Sequence, residues 1–328
     1  MKKIINNPND VVSQSLEGMA LAHPELVYTP ELEVISRREK AVGKVGVISG
    51  GGSGHEPAHA GYVGNGMLSA AVAGNMFSSP SPDRIIEGIK QADTGAGVLM
   101  VIKNYSGDIM NFELAGEMAE MDDIKVEHVV VRDDVAVPDS TYSTGRRGIA
   151  GTVFVHKVAG AAAQRGDDLA KVKELAQKAC DNIRSMGLAM TPCTLPAVGK
   201  PGFELGANEI EVGMGIHGEP GVERTTIKTA RETAQVLLDK ILADYEFTGS
   251  QVALMVNGLG GTPLMELYIL NNEVRQLLEA KGIQVYKTFV GNFMTSIEMA
   301  GCSLTLLKLD AELTELLDAP CDTPAFKV

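Results

Sequence analysis

The sequence has few cysteines and no long apolar run. It contains 4 cysteines in 328 residues and no C-x-x-C pair, so neither a disulfide framework nor a zinc knuckle is indicated. No apolar stretch approaches the roughly 18 residues that a membrane-spanning helix needs. The opening residues, MKKIINNPNDVV, lack the apolar core of a secretory signal. Because scattered free thiols fit a reducing compartment, we expect a cytoplasmic protein that does not enter a membrane.

Basic residues are also in the minority. There are 29 lysines and arginines against 42 acidic residues, which gives a formal net charge of -13. Such a charge disfavours electrostatic binding to nucleic acids or to anionic membranes. The length of 328 residues, 45% of them hydrophobic, exceeds what one core usually serves. The composition therefore predicts a soluble protein of two domains.

Short apolar runs alternate with helical patterns along the first half of the chain. KVGVIS (44–49), GVLMVIKN (97–104) and KVEHVVV (125–131) have the character of buried strands. A helical pattern then extends from about Asp168 to Met186, and Gly187 stands at its expected end. This alternation is typical of an α/β domain, which we expect to be a three-layer structure with a sheet flanked by helices.

The composition changes after residue 187, because proline and glycine become frequent between residues 191 and 221. Beyond that stretch, the pattern predicts a strand at 251–258, a helix near 264–280 and strands near 283–289 and 302–308. We therefore predict two α/β domains, 1–187 and 188–328. The second is the smaller and is expected to contain a mixed sheet.

The stretch SGGGSGHEPAH (49–59) is the richest in glycine, and we predict a turn there, directly after a buried strand. Glycines at a strand end let a ligand approach the backbone, whose N–H groups can bind oxygen atoms. The spacing and the lysine of a P-loop are missing, and so is the third glycine of G-x-G-x-x-G. The stretch therefore favours a small polar ligand over a nucleotide.

The same stretch contains a match to the H-E-x-x-H motif of zinc proteases, from His55 to His59. That motif works only when both histidines lie on one face of a continuous helix. Pro57 stands between them and glycines precede them, which opposes such a helix. A structural role for His59 is favoured, and a zinc hydrolase remains the alternative.

Three further motifs carry polar side chains. KNYSGD (103–108) follows a predicted strand, where open α/β sheets bind ligands, so Asp108 and His55 can share a pocket. TYSTGRRG (141–148) contains Arg146 and Arg147, which fit either a phosphate or carboxylates at an interface. GMGIHGEPG (213–221) places His217 among four glycines, and taken alone this segment favours a plain turn whose histidine faces solvent.

In this order, GGGSGHEPAHAGYVG, KNYSGD, STGRRGIAGTVFVHK, PGFELG and GIHGEPG resemble the substrate-binding subunit of the dihydroxyacetone kinase family. The resemblance extends over nearly the whole chain, to TSIEMAGCSLTLLKLD (295–310). It implies that a neutral His217 attacks the ketone of dihydroxyacetone to form a hemiaminal. It also implies that His55 and Asp108 are catalytic, and that the substrate is surrounded by Gly52, Ser53, Gly54, His55, Lys103 and Asp108.

The resemblance has implications for partners as well. It is to the phosphotransferase-dependent type, in which a separate subunit holds ADP or ATP with magnesium, so no cofactor or metal is expected on this chain. In that type a multiphosphoryl subunit, fed from phosphoenolpyruvate, regenerates the nucleotide. The resemblance further implies a homodimer. A dihydroxyacetone-sensing coactivator of a transcription regulator, without turnover, remains the alternative function.

Overall fold

The structure is a computed structural model that describes residues 2–138 and 145–328. In these residues the strands are β1 (Leu26–Thr29), β2 (Val34–Arg37), β3 (Gly46–Ser53), β4 (Ala70–Met76), β5 (Val98–Lys103), β6 (Val126–Val131), β7 (Ile183–Ala189), β8 (Glu209–Val212), β9 (Glu223–Thr226), β10 (Gln251–Gly258), β11 (Gln284–Gly291) and β12 (Gly301–Leu309). The helices are α1 (Val11–Ala22), α2 (Pro82–Ala92), α3 (Ser106–Met121), α4 (Thr152–Arg165), α5 (Leu169–Asn182), α6 (Ala230–Asp244), α7 (Leu264–Ala280) and α8 (Ala311–Asp318).

The strands form two six-stranded sheets. The first has the order β1-β2-β4-β3-β5-β6, in which β4, β3, β5 and β6 are parallel and β1 and β2 are antiparallel additions. The second has the order β11-β10-β12-β7-β8-β9, and only the pair β10 and β11 is parallel. The prediction of two α/β units, with a mixed sheet in the second, is confirmed.

Helices cover both faces of both sheets. Helices α2 and α3 pack on the outer face of the first sheet, and α6 and α7 pack on the outer face of the second. Helices α4, α5 and α8 lie between the sheets and share one hydrophobic core with both. A strand covered on both faces is expected to be apolar, as β5 (VLMVIK) is up to its last residue, Lys103. Of the helices in the described ranges, none is long and apolar enough to cross a bilayer.

One predicted helix ends earlier than its pattern suggested. The helix predicted to reach Met186 ends at Asn182, and strand β7 begins at the next residue. From Ile183 to Ala189 the backbone pairs with β12 in an antiparallel ladder. Pairing with a distant strand therefore outweighs the helical spacing of the side chains. Strand β7 extends across the division predicted after residue 187, which stays a prediction.

The glycines after residue 49 also differ from the prediction. They continue β3 to Ser53 instead of forming a turn, because β4 supplies backbone partners for them. A Cβ on Gly50 would collide with the carbonyl oxygen of Val72, and one on Gly52 would lie 2.5 Å from the backbone nitrogen of Ser78. Residues without a side chain are thus needed at these positions, because β4 and the turn after it pack directly against the backbone of β3. The predicted bounds of β10 and α7 are confirmed.

Candidate active site

The first half of the site lies at the carboxyl end of the parallel strands. Lys103 ends β5, and Asp108 lies in the first turn of α3. The Lys103 Nζ donates hydrogen bonds to Asp108 Oδ2 and to the Gly50 carbonyl oxygen, both at 3.2 Å. A Cβ on Gly51 would collide with that Nζ and would lie 3.4 Å from Asp108 Oδ2. The glycine segment, Lys103 and Asp108 therefore meet, as the sequence predicted.

His55 follows β3 directly, and its side chain is fully buried. Its ring stacks on Phe77, and its Nδ1 lies 2.8 Å from the Thr295 carbonyl oxygen. A carbonyl only accepts, so Nδ1 carries the proton and Nε2 carries the lone pair. Burial, together with the charges of His217 and Lys103, lowers the pKa of His55 well below its usual range. His55 is therefore a neutral imidazole whose Nε2 can accept a hydrogen bond.

His217 comes from the loop between β8 and β9 and completes the site from the second sheet. Its ring makes edge-to-face contacts with His55, Phe77 and Tyr105, at centroid distances of 4.8, 5.3 and 4.6 Å. The Tyr105 ring in turn lies 5.9 Å from the Lys103 Nζ. The structure thus brings His55, Lys103, Asp108 and His217 into one site.

Glu219 holds the His217 side chain from within the same loop. Its Oε1 lies 2.9 Å from His217 Nδ1, and its Oε2 accepts the His217 backbone N–H at 2.9 Å. Burial raises the pKa of Glu219, but the hydrogen bond and charge of His217, with the Arg147 guanidinium, outweigh it and lower that pKa to about 2. An ionised carboxylate only accepts, so Nδ1 of His217 carries the proton. Sequence reasoning missed this residue, although an acid two positions after a loop histidine was a usable signal.

Arg147 anchors this loop to the first half of the protein. Its Nε donates to Asp134 Oδ2 at 2.8 Å, and its Nη2 donates to the Gly213 carbonyl oxygen at 2.8 Å. Asp134 is buried, and burial raises its pKa to about 6 although the charge of Arg147 opposes the shift. Arg147 therefore pairs with a carboxylate, which was one of the two possibilities left open by the sequence.

Arg146 also pairs with a carboxylate. Its Nη1 lies 2.9 Å from Asp244 Oδ2, and Arg184 donates to the same oxygen. This pairing joins the segment after β6 to the end of α6. Residues 141–144, which belong to the same TYSTGRRG motif, lie outside the described residues.

The remaining residues of the glycine segment have structural contacts. Ser53 Oγ donates to the Gly74 carbonyl oxygen at 2.8 Å. Gly54 has a φ of +106°, and a Cβ there would lie 2.7 Å from the Phe77 ring. These contacts fix the direction in which the chain delivers His55 to the site.

His59 belongs to a different cluster from His55. Its Nδ1 lies 3.3 Å from Ser49 Oγ, and its ring contacts that of His156. Residues 54–59 form bends and turns, so the two histidines share no helical face. The zinc hydrolase alternative is therefore contradicted by the geometry of this segment. Within 2–138 and 145–328, no group of three or more potential ligands is placed to hold a metal ion.

A large apolar cavity lies beside the site. It has a volume of about 810 Å³, and its wall is formed by the N-terminal segment, α1 and the residues from Gly51 to Ser53. Neither His55 nor His217 contributes to that wall. We assign the site by its polar groups, because a pocket for a small polar substrate needs converging donors and acceptors more than volume.

Comparisons with known proteins agree on one family. The sequence matches the Dak1 domain model over residues 17–325. It is 55% identical over 329 residues to "PTS-dependent dihydroxyacetone kinase 1, dihydroxyacetone-binding subunit DhaK" of Listeria innocua, covering 99% of this chain and 100% of that protein. It is 44% identical over 352 residues to the "PEP-dependent dihydroxyacetone kinase, dihydroxyacetone-binding subunit DhaK" of Escherichia coli, covering 99% of each chain.

Two solved structures extend the comparison. The dihydroxyacetone kinase of C. freundii in complex with AMP-PNP and Mg²⁺ superimposes with a TM-score of 0.92 at 37% identity, covering 99% of this chain and 61% of that chain. A "dihydroxyacetone kinase operon co-activator" superimposes with a TM-score of 0.91 at 38% identity, covering 95% and 97%. The fold is thus similar to that of a kinase and to that of a regulator.

Proposed function

The chain belongs to the dihydroxyacetone kinase family of Dak1 domains, and on this premise we propose that it is the dihydroxyacetone-binding subunit of a phosphotransferase-dependent dihydroxyacetone kinase. The relatives that match over their full lengths are named as such subunits. The observation that carries the proposal is His217, whose Nδ1 is engaged by Glu219. Its Nε2 is therefore available as a nucleophile.

Capture of the substrate is the first step. The Nε2 lone pair of neutral His217 forms a C–N bond to the carbonyl carbon of dihydroxyacetone. The carbonyl π bond breaks, and the new alkoxide takes a proton from the aqueous solvent. The ring then carries a positive charge opposite the Glu219 carboxylate. We propose that His55, whose ring lies 4.8 Å from that of His217, accepts a hydrogen bond from a substrate hydroxyl through Nε2 and relays the solvent proton to the alkoxide.

Phosphoryl transfer is the second step. As the terminal hydroxyl of the adduct attacks phosphorus, Asp108 accepts its proton, the new O–P bond forms and the bond from phosphorus to the nucleotide breaks. Lys103 holds the Asp108 carboxylate in position and offsets its charge. Such a transfer depends mainly on positioning and charge, which an anchored substrate supplies. We propose that the backbone of Gly52, Ser53 and Gly54 borders the bound substrate.

Covalent capture accounts for selectivity. Glycerol has the length and the hydroxyl groups of dihydroxyacetone, but it has no carbonyl and cannot form the adduct. A pocket that relied on shape alone would discriminate poorly between two such similar molecules. We therefore propose a carbonyl requirement for substrates of this site.

The remaining parts of the machinery are supplied by other subunits. We propose that the nucleotide and magnesium are held by a separate subunit, which a multiphosphoryl protein recharges from phosphoenolpyruvate. The names of the full-length relatives support this division of labour. We also propose that the chain is a cytoplasmic homodimer, which light scattering on the purified protein will test.

A second function deserves a direct test, since a co-activator shares the fold over 95% of this chain. A co-activator would bind dihydroxyacetone without turnover. The experiment is a single-turnover assay with a nucleotide-binding subunit that is active with the Listeria innocua relative, loaded with ATP and Mg²⁺. Formation of dihydroxyacetone phosphate supports the kinase. Failure to form it, while the relative succeeds in the same assay, would favour the co-activator.

A further inference from the structure

We propose that Glu219, in the loop that Arg147 anchors, is the positioning residue that fixes His217 in the tautomer and orientation needed for attack through Nε2. This inference rests on the proposed function, because it concerns the same histidine. Glu219 binds His217 through Nδ1 and the backbone N–H, not through the proposed reactive Nε2, so we assign it a role that acts through His217.

The carboxylate of Glu219 binds both the ring and the backbone N–H of His217, and we call this pair of hydrogen bonds the clip. One oxygen lies 2.9 Å from His217 Nδ1, and the other accepts the backbone N–H of the same residue at 2.9 Å. Because both ends of His217 are held by one planar group, the rotation of its side chain is restricted. The edge-to-face contacts with His55 and Tyr105 are therefore kept.

The glycine before the histidine makes room for this clip. A Cβ on Gly215 would collide with Glu219 Oε2 and would lie 2.6 Å from Arg147 Nη1. The carboxylate and the guanidinium therefore meet against a bare Cα. The Gly215 N–H also donates to the Glu219 carbonyl oxygen at 3.1 Å, which closes the loop around the pair. A side chain at position 215 would break this arrangement.

Arg147 anchors the loop that carries the clip. Its guanidinium donates to the Asp134 carboxylate and to the Gly213 carbonyl, and its charge contributes to the lowered pKa of Glu219. Asp134 is fixed in turn by the Ala136 N–H at 3.0 Å. The segment after β6 thus sets the position of the loop after β8.

The choice of glutamate over glutamine is decisive for the tautomer. Two donors face this side chain, the His217 backbone N–H and Nδ1–H. A carboxylate accepts both. An amide has one oxygen, and once that oxygen takes the backbone N–H, its NH₂ group faces Nδ1 and forces the proton onto Nε2. Glu219→Gln in the same geometry therefore inverts the tautomer.

The test uses full-length protein with ¹⁵N-labelled histidine. In wild type we expect His217 as the Nδ1–H tautomer, and in Glu219→Gln as the Nε2–H tautomer. The rate of adduct formation with dihydroxyacetone should fall on the order of 10³-fold in Glu219→Gln. Glu219→Asp, which restores a carboxylate, should restore the Nδ1–H tautomer and part of the rate.

The matched control is Glu211→Gln. Glu211 accepts from the Gly221 N–H and from Arg224, so it braces the same loop without touching His217. We expect its His217 tautomer and its adduct rate to stay within about 2-fold of wild type. Equal losses in both variants would assign a merely structural role to Glu219 and overturn the inference.

The experiment distinguishes failure of the inference on Glu219 from failure of the proposed function. A Glu219→Gln protein that keeps the Nδ1–H tautomer and a near-wild-type adduct rate would overturn the inference. Absence of any adduct in wild type would instead overturn the proposed function. The tautomer measurement needs no substrate, so it would still decide the role of Glu219 in that case.

Discussion

Two glycine-rich segments each contribute one histidine to the candidate site, and the two histidines differ in burial and in the partner of Nδ1. His55, after β3, is fully buried, and its Nδ1 faces a backbone carbonyl. His217, after β8, keeps 19% of its side chain exposed, and its Nδ1 faces the carboxylate of Glu219. The two rings nevertheless lie only 4.8 Å apart.

The contrast shows how one residue type serves two tasks. Complete burial and the charges of His217 and Lys103 lower the pKa of His55 and keep it neutral, although the hydrogen bond to the Thr295 carbonyl opposes that shift. In the proposed capture step, the Glu219 carboxylate would stabilise the positive charge that the His217 ring gains in the adduct. The hydrogen-bond partner and the solvent exposure of each ring therefore support the different roles that we propose for His217 and His55.

The largest expected effect separates the two halves of the site. Asp108→Asn removes the proposed proton acceptor near the first segment but leaves His217 and Glu219 untouched. We expect phosphoryl transfer to fall about 10³-fold or more, since an amide cannot take the proton, while adduct formation stays within about 3-fold. Single-turnover assays and native mass measurement report the two steps.

A melting curve serves as the control for Asp108→Asn, because the substitution leaves the buried Lys103 without its carboxylate. Turnover retained in a folded Asp108→Asn protein would remove Asp108 from the role of base. Loss of the adduct as well would show that the two halves of the site do not act separately.

The next effect compares the glycines of the two segments. Gly54 has a φ of +106° and no room for a Cβ beside Phe77, whereas Gly218 has a φ of +81° with its nearest neighbour 3.6 Å away. Gly54→Ala should therefore cost about 2–4 kcal/mol of unfolding free energy and Gly218→Ala about 1–2 kcal/mol. Urea unfolding measures both. Equal costs would show that packing around His55 is no tighter than around His217.

A smaller effect tests burial of imidazole away from the site. His156 is fully buried in α4, and burial lowers its pKa to about 3. Between that value and about 6.5, the unfolded chain binds a proton that the folded chain does not, so stability falls as the pH falls below about 6.5. Between pH 7.5 and 5, the free energy of unfolding should therefore fall by about 2 kcal/mol less in His156→Leu than in wild type.

Urea unfolding at the two pH values gives this difference directly, because His55 and His59 remain in both proteins. The adduct rate of His156→Leu at pH 7.5 should stay within about 2-fold of wild type. An equal loss of stability in both proteins would mean that His156 is protonated when folded. A lost adduct would place His156 in the site.

Much of this site could be predicted from local sequence, and the parts that could not depend on distant contacts. Strand ends followed by glycines, lysine and aspartate indicated where Lys103 and Asp108 lie, since parallel strands end at one edge. The bounds of β10 and α7 followed from apolar spacing. The resemblance, not the spacing, singled out His217.

Other features depend on residues far apart in the chain. The end of α5 at Asn182 is set by pairing of the next residues with β12. The partner of Arg147 lies in a turn 13 positions away and its second contact in a loop 66 positions away. The contact of the Thr295 carbonyl with His55 joins residues 240 positions apart. The local sequence pattern does not predict contacts between residues so far apart in the chain.

The most direct test of the account is native mass measurement of the protein with dihydroxyacetone under gentle conditions. Glycerol and His217→Ala serve as controls. The account predicts a mass increase of one dihydroxyacetone molecule in wild type, none with glycerol and none in His217→Ala. An unmodified mass in wild type, with binding of the ketone shown by another method, would contradict capture by His217.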